Sequence, residues 1–309
     1  MTSWRKAVED YVDLRRSLGF KLLEAKVGLI SFASFLKQRR AEHITIALAM
    51  EWAQQDKTAR PAEWARRLTF VRCFARHWSA HDPQTEVPPS GLLPYRPGRA
   101  HPYLYSNDEV RKLLKASRQL PSTHGLRGQT YYCLLGLLAV TGLRISEARN
   151  LQTEDVDLKE GVLTIRGAKF GKSRLVPIHP STRKVLSAYA SQRDRFLARR
   201  PPTFFVSGRG TRLDGAEIRR TFYFLSRQIG LRGPTDSHGP RLHDFRHRFA
   251  VETLVQWYRS GQDVERRLPI LTTFLGHVHV ADTYWYLSAC PELMGLAVKR
   301  FEDYWEKQS

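Results

Sequence analysis

The sequence predicts a mainly α-helical fold with a small antiparallel β-sheet, an α+β architecture in two domains. Apolar residues recur at helical spacing along most of the 309 residues. Two short strand-like segments flank a glycine-punctuated loop, which is the pattern of a β-hairpin. A proline-rich stretch follows residue 82, and one domain per about 150 residues is the usual ratio. These observations predict a helical N-terminal domain, a linker and a larger mixed domain.

The first predicted domain, residues 1–82, is helical throughout. Apolar residues at helical spacing mark its early helices: Trp4, Val8, Tyr11 and Val12, then Leu29, Phe32, Ala33 and Leu36. A later helix begins at Pro61, a favourable first-turn residue, and has an apolar face of Trp64, Leu68, Val71 and Trp78. Its other faces carry Arg66, Arg67, Arg72 and Arg76. These arginines form either a solvated basic face or contacts to a DNA backbone.

The predicted linker covers residues 83–103. Six prolines lie between Pro83 and Pro102, and proline cannot continue a helix, so an extended segment between domains is expected. Directly beyond it, Ser106 and Glu109 have the spacing of a capping box. This pattern predicts that a helix begins there and runs to about Ser117.

The second predicted domain, residues 104–309, has a buried helix over 131–140 that ends at Thr141-Gly142. Strands are predicted at 162–166 and 174–178, with a loop between them that carries two lysines. Further helices are predicted at 181–198, 214–229, 243–259 and 265–276. The tail has an amphipathic stripe of Leu293, Leu296, Ala297, Phe301 and Trp305, which packs either on its own domain or on another protomer.

Charge and composition restrict the class of partner. The formal net charge is +20 and the pI is near 10.2, which favours a polyanion, and nucleic acid over membrane. The longest apolar stretch is too short to span a bilayer, and the opening residues lack the apolar segment of a signal peptide. The cysteines, Cys73, Cys133 and Cys290, are far apart. They indicate neither a disulfide framework nor a cysteine zinc site, as expected in a reducing cytoplasm.

Five short motifs contain residue types that cleavage of a phosphodiester without a metal ion requires. They are TGLRISEA around Arg144, AKFGKSRLVP around Lys169, HDFRH with His243 and Arg246, LGH ending at His277, and DTYWYL with Tyr286. Arginine forks suit the non-bridging phosphate oxygens, where negative charge develops. A loop lysine, Lys169 or Lys172, can protonate a leaving oxygen. A tyrosine, Tyr284 or Tyr286, can act as the nucleophile if cations stabilise its phenolate.

In order and wording, these motifs resemble the tyrosine recombinase family, of the phage-integrase and Xer-like type, in a transposase or integrase member. The resemblance covers about residues 106–290 in motif and the whole chain in layout. It implies a SAM-like core-binding DNA-binding domain at 1–82 and a catalytic domain at 104–309. It implies that the catalytic lysine is Lys169 and that the nucleophile is Tyr286. It also implies that Glu147 supports Arg144, and the expected DNA contacts include Lys172, Arg174 and Arg248.

The resemblance implies a function as well. The chain would cut and rejoin double-stranded DNA through a 3′-phosphotyrosyl intermediate and a Holliday junction, with no metal, ATP or other cofactor. It would act as a homotetramer on paired sites, be a monomer or dimer when free, and work with accessory recombinases in some settings. The expected location is the bacterial cytoplasm, on the nucleoid.

Three alternatives stay open at the level of sequence. The same chemistry serves type IB topoisomerases, which relax DNA, and a regulator that binds DNA without cleaving it can keep the same fold. A zinc site is the third alternative, with His243, His247, His277 and His279 as ligands, although no H-E-x-x-H motif is present. One departure from compact Xer-type members is the spacing from Arg246 to His277, which includes YRSGQDVERR.

Overall fold

A computed structural model of the protein describes residues 3–93, 102–122, 125–167, 173–236, 238–286 and 290–306, apart from the side chains of Phe301, Asp303 and Tyr304. The chain divides into two compact units, Met1–Ala100 and His101–Ser309. None of the helices in these described ranges combines the length and the apolar run that crossing a bilayer requires.

The first unit is built from helices α1 (Trp4–Ser17), α2 (Leu23–Gln38), α3 (Ile46–Ala53) and α4 (Pro61–Trp78). Pro61 lies in the first turn of α4, as predicted. The apolar faces of the helices meet in one core, in which Phe32, Trp52 and Phe74 are fully buried. Helical periodicity predicts this unit well because each helix buries one stripe of side chains against the others.

The first part of the predicted linker packs on this unit instead of extending away from it. Thr85 is buried, and the backbone N–H of Glu86 donates to the Ile44 carbonyl at 2.8 Å. The guanidinium of Arg72 donates to the carbonyls of Pro88 and Pro89 at 2.7 and 2.9 Å. Prolines exclude a helix here, but their carbonyls still accept hydrogen bonds.

The second unit contains a three-stranded antiparallel sheet in the order β1-β2-β3, with β1 Val156–Asp157, β2 Val162–Ile165 and β3 Arg174–Pro177. Its helices are α5 (Asn107–Arg118), α6 (Leu126–Thr141), α7 (Ile145–Asn150), α8 (Pro180–Leu197), α9 (Gly215–Gln228), α10 (Asp244–Arg259), α11 (Val264–Leu275), α12 (Ala281–Tyr284) and α13 (Pro291–Glu306). The predicted mainly helical fold with a small antiparallel sheet is confirmed.

Local signals account for several boundaries in this unit. Ser106 Oγ accepts from the backbone N–H of Glu109 at 3.1 Å, and the Glu109 carboxylate accepts from the Ser106 N–H at 2.7 Å, so the predicted capping box begins α5. Helix α6 is buried on most sides. It ends at Gly142, which adopts a left-handed φ of 60° and starts the turn that leads to Arg144.

The last helices form a separate apolar cluster of the second unit. Helices α10, α11 and α13 enclose Leu254, Leu271, Leu275 and Leu293 together with Tyr286. Helix α13 packs on α10, and the exposed side chains of Arg259 and Glu292 pair across the same two helices at 2.5 Å. The tail stripe therefore packs on its own chain at Leu293.

Candidate active site

Arg144 lies between the end of α6 and the start of α7. It is the residue before the first turn of α7, and its backbone N–H donates to the Glu147 carboxylate at 3.0 Å. Its guanidinium donates to the same carboxylate at 2.7 Å and to the Gly276 carbonyl at 3.1 Å. The guanidinium is thus held by a carboxylate at one terminal nitrogen and by a backbone oxygen at the other, which fixes its direction.

Arg246 is the most deeply buried cation of the site, with 1% of its surface exposed. Its guanidinium donates to the carbonyls of Gly142 at 3.0 Å and Leu275 at 2.7 Å. These oxygens lie at the C-terminal ends of α6 and α11, where the helix dipole is negative. Burial and the neighbouring charge of Arg144 lower the pKa of Arg246 to about 10, so it is still a cation at neutral pH.

Glu147 binds two arginines, Arg144 and Arg174. Its carboxylate accepts from both terminal nitrogens of Arg174, at 3.1 and 2.9 Å, as well as from Arg144. Burial acts to raise the pKa of Glu147, but the hydrogen bonds from Arg174 and Arg144 outweigh it and bring the pKa to about 2. The predicted supporting residue therefore serves two arginines.

Arg174, which was predicted to contact DNA, is enclosed by residues of its own chain. Its side chain is only 8% exposed, and besides Glu147 its Nε donates to the Phe274 carbonyl at 2.8 Å. A Cβ on Gly276, whose φ is 69°, would lie 2.7 Å from an Arg174 nitrogen. The guanidinium is thus enclosed between Glu147 and the end of α11, where only glycine fits beside it.

His277 is held by a chain of hydroxyl groups. Its Nδ1 lies 2.8 Å from Thr283 Oγ1, which lies 2.9 Å from Thr272 Oγ1. Partial burial of the ring, followed by the charges of Arg246 and Arg144, lowers the pKa of His277 to about 4. With this pKa the ring is neutral at physiological pH.

Tyr286 lies against these groups, whereas Tyr284 does not. Tyr286 is 2% exposed, and its ring stacks on His277 with a centroid separation of 6.0 Å. Burial raises the pKa of Tyr286, and the charge of Arg246 and a hydrogen bond with it act in the opposite direction. Tyr284 is 51% exposed on the short helix α12. Of the two candidate nucleophiles, Tyr286 is the one beside the cations.

His243 and His247 complete the described cluster. His243 directly precedes α10, and its ring meets His247 edge to face at 4.7 Å. Partial burial, followed by the charge of Arg246, lowers the pKa of His243. His247 also contacts the rings of Trp285 and Tyr286, at 5.2 and 5.5 Å. Sequence reasoning considered His247 only as a zinc ligand, yet it packs against the candidate nucleophile.

Both candidate lysines, Lys169 and Lys172, lie outside the described residues. The strands on either side of their loop are in place, with Ile165 paired to Arg174 across the sheet. Arg174, the first residue of β3, is bound to Glu147, the residue that also binds Arg144.

Arg248 was predicted to contact DNA, but the structure places it inside the unit. It is buried, and its guanidinium donates to the Tyr105 carbonyl at 2.8 Å and to the Asn107 side chain at 2.7 Å. These bonds attach α10 to the start of α5. Its described contacts are therefore structural.

The four arginines of α4 differ from one another. Arg66 pairs with Glu24 and Glu63, Arg67 lies 4.2 Å above the Trp52 ring, and Arg72 binds the carbonyls of the following segment. Arg76 is exposed, with no ion pair to another residue of the described part. It is the member of the set most available to a partner.

The histidines considered as zinc ligands are not arranged as a metal site in the described part of the chain. Within the described ranges, no group of three or more histidine, cysteine, aspartate or glutamate side chains is arranged to hold a metal ion. The cluster instead combines cations, imidazoles and a buried phenol, which is a donor set suited to an anionic phosphate.

Comparison with known proteins identifies the family of this chain. A model described as the phage integrase family matches residues 104–292. The chain belongs to the phage integrase family. The matched region contains all of the predicted catalytic positions, from Arg144 to Tyr286.

Relatives within the phage integrase family support the same assignment. The chain is 57% identical, over the full length of both proteins, to "Putative integrase/recombinase y4rB" of Sinorhizobium fredii. It is 30% identical to the tyrosine recombinase XerD of Caulobacter vibrioides, over 81% of this chain and 79% of that protein. This phage integrase family member is therefore a site-specific tyrosine recombinase.

Solved structures show the same fold at low sequence identity. A Tn1549 transposon integrase in complex with transposon right end DNA matches with a TM-score of 0.65 and 14% identity, over 98% of this chain and 99% of that one. At this identity the likeness concerns the fold, and it extends over both units of the phage integrase family member.

Proposed function

We propose that this recombinase cuts and rejoins double-stranded DNA through a covalent 3′-phosphotyrosyl intermediate formed on Tyr286. One observation carries the proposal: a buried phenol lies beside Arg246 and His277, in a cluster that also contains Arg144. The net charge of +20 supports a DNA partner. So does the similar transposon integrase, which was solved with DNA.

The two arginines would stabilise the transferred phosphoryl group. Arg144 and Arg246 are each fixed by backbone carbonyls, and each guanidinium has more N–H groups than those bonds use. Charges fixed before reaction stabilise developing negative charge without reorganising, which is the largest single contribution in many enzymes. Their cost of burial is already offset by the carbonyls and by Glu147.

The nucleophile and the imidazoles belong to the same cluster, and the acid is the loop lysine expected from the sequence. The Tyr286 oxygen attacks phosphorus and its phenol proton passes to an imidazole of the cluster. The bond to the 5′ oxygen breaks, and Lys169 gives that oxygen its proton. His243 binds the phosphate together with Arg246. Lys172 and Arg76 contact the DNA backbone. Because the phosphotyrosyl bond keeps the energy of the phosphodiester, religation needs neither ATP nor a metal ion.

Exchange between two sites requires an assembly. We propose a homotetramer on paired sites that resolves through a Holliday junction, formed from monomers or dimers that are free in solution, with accessory recombinases in some settings. Beyond Leu293, the tail helix α13 exposes Met294 and Val298, and these side chains are available to a neighbouring protomer.

The nucleophile is tested with a suicide substrate, a nicked DNA whose cleavage traps the covalent adduct. Tyr286→Phe should abolish the adduct and leave DNA affinity unchanged, while the matched control Tyr284→Phe should retain it. An adduct that survives in Tyr286→Phe and disappears in Tyr284→Phe would assign the nucleophile to the exposed tyrosine. The same reaction should proceed in EDTA, and loss of the adduct there would overturn the metal-free chemistry.

A further inference from the structure

The two hydroxyl groups next to His277 are buried. Thr283 is fully buried and Thr272 nearly so. Thr272 Oγ1 lies 2.9 Å from the Leu268 carbonyl, one turn earlier in α11, and 2.9 Å from Thr283 Oγ1. Thr283 Oγ1 in turn lies 2.8 Å from His277 Nδ1. Three hydrogen-bond contacts thus connect the ring to a carbonyl that can only accept.

The number of available hydrogens sets the direction of the hydrogen bonds among these hydroxyls. Each hydroxyl has one hydrogen to donate. The Leu268 carbonyl must accept, so the hydrogen of Thr272 is used there. Thr283 then donates to Thr272, and its oxygen is left to accept from His277. All three contacts are hydrogen bonds only if Nδ1 carries a hydrogen. In the reverse direction the Leu268 contact is lost.

The consequence concerns the second nitrogen of the ring. A neutral imidazole has one N–H, so a hydrogen fixed at Nδ1 leaves Nε2 with its lone pair. When the ring becomes a cation, Nδ1 still donates to Thr283 and Nε2 acquires the new hydrogen. Every change in protonation is therefore confined to Nε2.

The charged and titratable groups around the ring determine when that change occurs. The positive charges of Arg246 and Arg144 disfavour the cation, whereas Asp282 favours it. The His243 ring and the Tyr286 phenol also face His277. A bound phosphate adds negative charge against the two arginines, which makes protonation of His277 easier in the complex than in the free protein.

We propose that Thr283, oriented by Thr272, is a positioning residue that holds His277 as the Nδ1–H tautomer and so reserves Nε2 for proton exchange in the reaction. The inference rests on the proposed function. As the Tyr286 oxygen bonds to phosphorus, the phenol proton passes to Nε2. The bond to the 5′ oxygen breaks, and that oxygen takes its proton from Lys169. Religation reverses each transfer.

The direct test is the tautomer itself, read from nitrogen-15 shifts of the histidines in the full-length protein at neutral pH. His277→Gln identifies the signals by their loss. In the unmodified protein Nε2 should show the shift of an unprotonated nitrogen. Thr283→Val, which has the same shape but no hydroxyl, should yield a mixture of tautomers, and Thr283→Ser should restore the original one. A wild-type ring that carries its hydrogen on Nε2 would overturn the proposal.

Cleavage kinetics give a second readout on the suicide substrate. Thr283→Val should slow adduct formation at saturating DNA by at least about tenfold, since general acid–base catalysis contributes a hundredfold or more. It should also change the pH profile of that rate, with DNA affinity unchanged. Thr283→Ser should react like wild type. A Val variant with the wild-type rate and pH profile would contradict the role of the hydroxyl.

The two readouts separate this inference from the proposed function. If wild type forms no adduct on Tyr286, the proposed function fails, while the nitrogen shifts still show whether the hydroxyls direct the ring. If wild type forms the adduct but Thr283→Val leaves the tautomer unchanged, only the positioning role fails. Thr272→Val tests the same chain one step further from the ring, should Thr283→Val fold poorly.

Discussion

On α4 of the helical unit, Arg66 and Arg76 are exposed, whereas Arg246 of the second unit is 1% exposed and the Arg174 side chain 8%. An exposed guanidinium is mobile and screened by salt, so it contributes affinity over a broad surface. A buried one is fixed by carbonyls and carboxylates and acts at one point at close range. We therefore expect arginine to serve two functions in this protein, distinguished by burial.

The largest expected effect tests the buried class. Arg246→Lys keeps the charge but cannot span the carbonyls of Gly142 and Leu275. The rate of adduct formation at saturating DNA should fall roughly a hundredfold to a thousandfold, which is the loss typical of one fixed oxyanion donor. The matched control is Arg76→Lys, the same change on the exposed surface, which should cleave at the wild-type rate. Equal losses of rate in both variants would contradict the distinction between the buried and the exposed arginines.

The second effect concerns stability. Arg174→Met leaves the buried Glu147 with Arg144 as its remaining partner, and losing one partner of a buried pair typically costs about 3 kcal/mol or more. The control is Arg5→Met, which removes the exposed ion pair with Glu9 and should cost less than about 1 kcal/mol. Urea unfolding measures both values.

The pH dependence of stability and the salt dependence of DNA binding give two further measurements on Arg174→Met. The pKa of Glu147 is about 2 against an ordinary 4.5, so its stabilisation is present above about pH 4.5 and is lost as the pH falls toward 2. The difference between wild type and Arg174→Met should therefore shrink in acid. If instead the variant is as stable as wild type and its DNA binding depends less on salt, Arg174 is a DNA contact after all.

The smallest effect separates two exposed arginines. Arg76→Ala should weaken DNA binding and lower the slope of log affinity against log salt by about one, the value for one phosphate contact. Arg66→Ala should change both less, because Arg66 already pairs with Glu24 and Glu63. Cleavage at saturating DNA should be unchanged in both. A larger loss in Arg66→Ala would show that these ion pairs open on binding.

Much of the fold follows from local signals. The capping box at Ser106, the proline at the start of α4 and the apolar stripes of α1 and α2 act within a few residues, so their effects can be inferred without the rest of the chain. The resemblance of the motifs to a known family supplied the set of site residues, including the choice of Tyr286. Their assigned roles remain predictions until the variants are measured.

Other features depend on contacts between distant parts of the chain. Arg174 meets Glu147 across 27 positions and Phe274 across 100, and Arg248 meets Tyr105 across 143. As isolated basic residues near the motifs they resemble DNA contacts, and only packing shows them to be enclosed. No role was predicted for Thr272 or for Thr283, although Thr283 lies in the DTYWYL motif. A threonine on a helix is common, and its partner is set by how α11 meets α12.

The helices, the small sheet, the positive charge and the order of the reactive residues can be read from the sequence, because periodicity, capping and composition act locally or additively. Which arginines are buried, which tyrosine lies beside them and which hydroxyls contact His277 become visible only in the folded chain. These properties depend on the desolvation and close approach of groups that are far apart in the chain, and no local pattern encodes that environment.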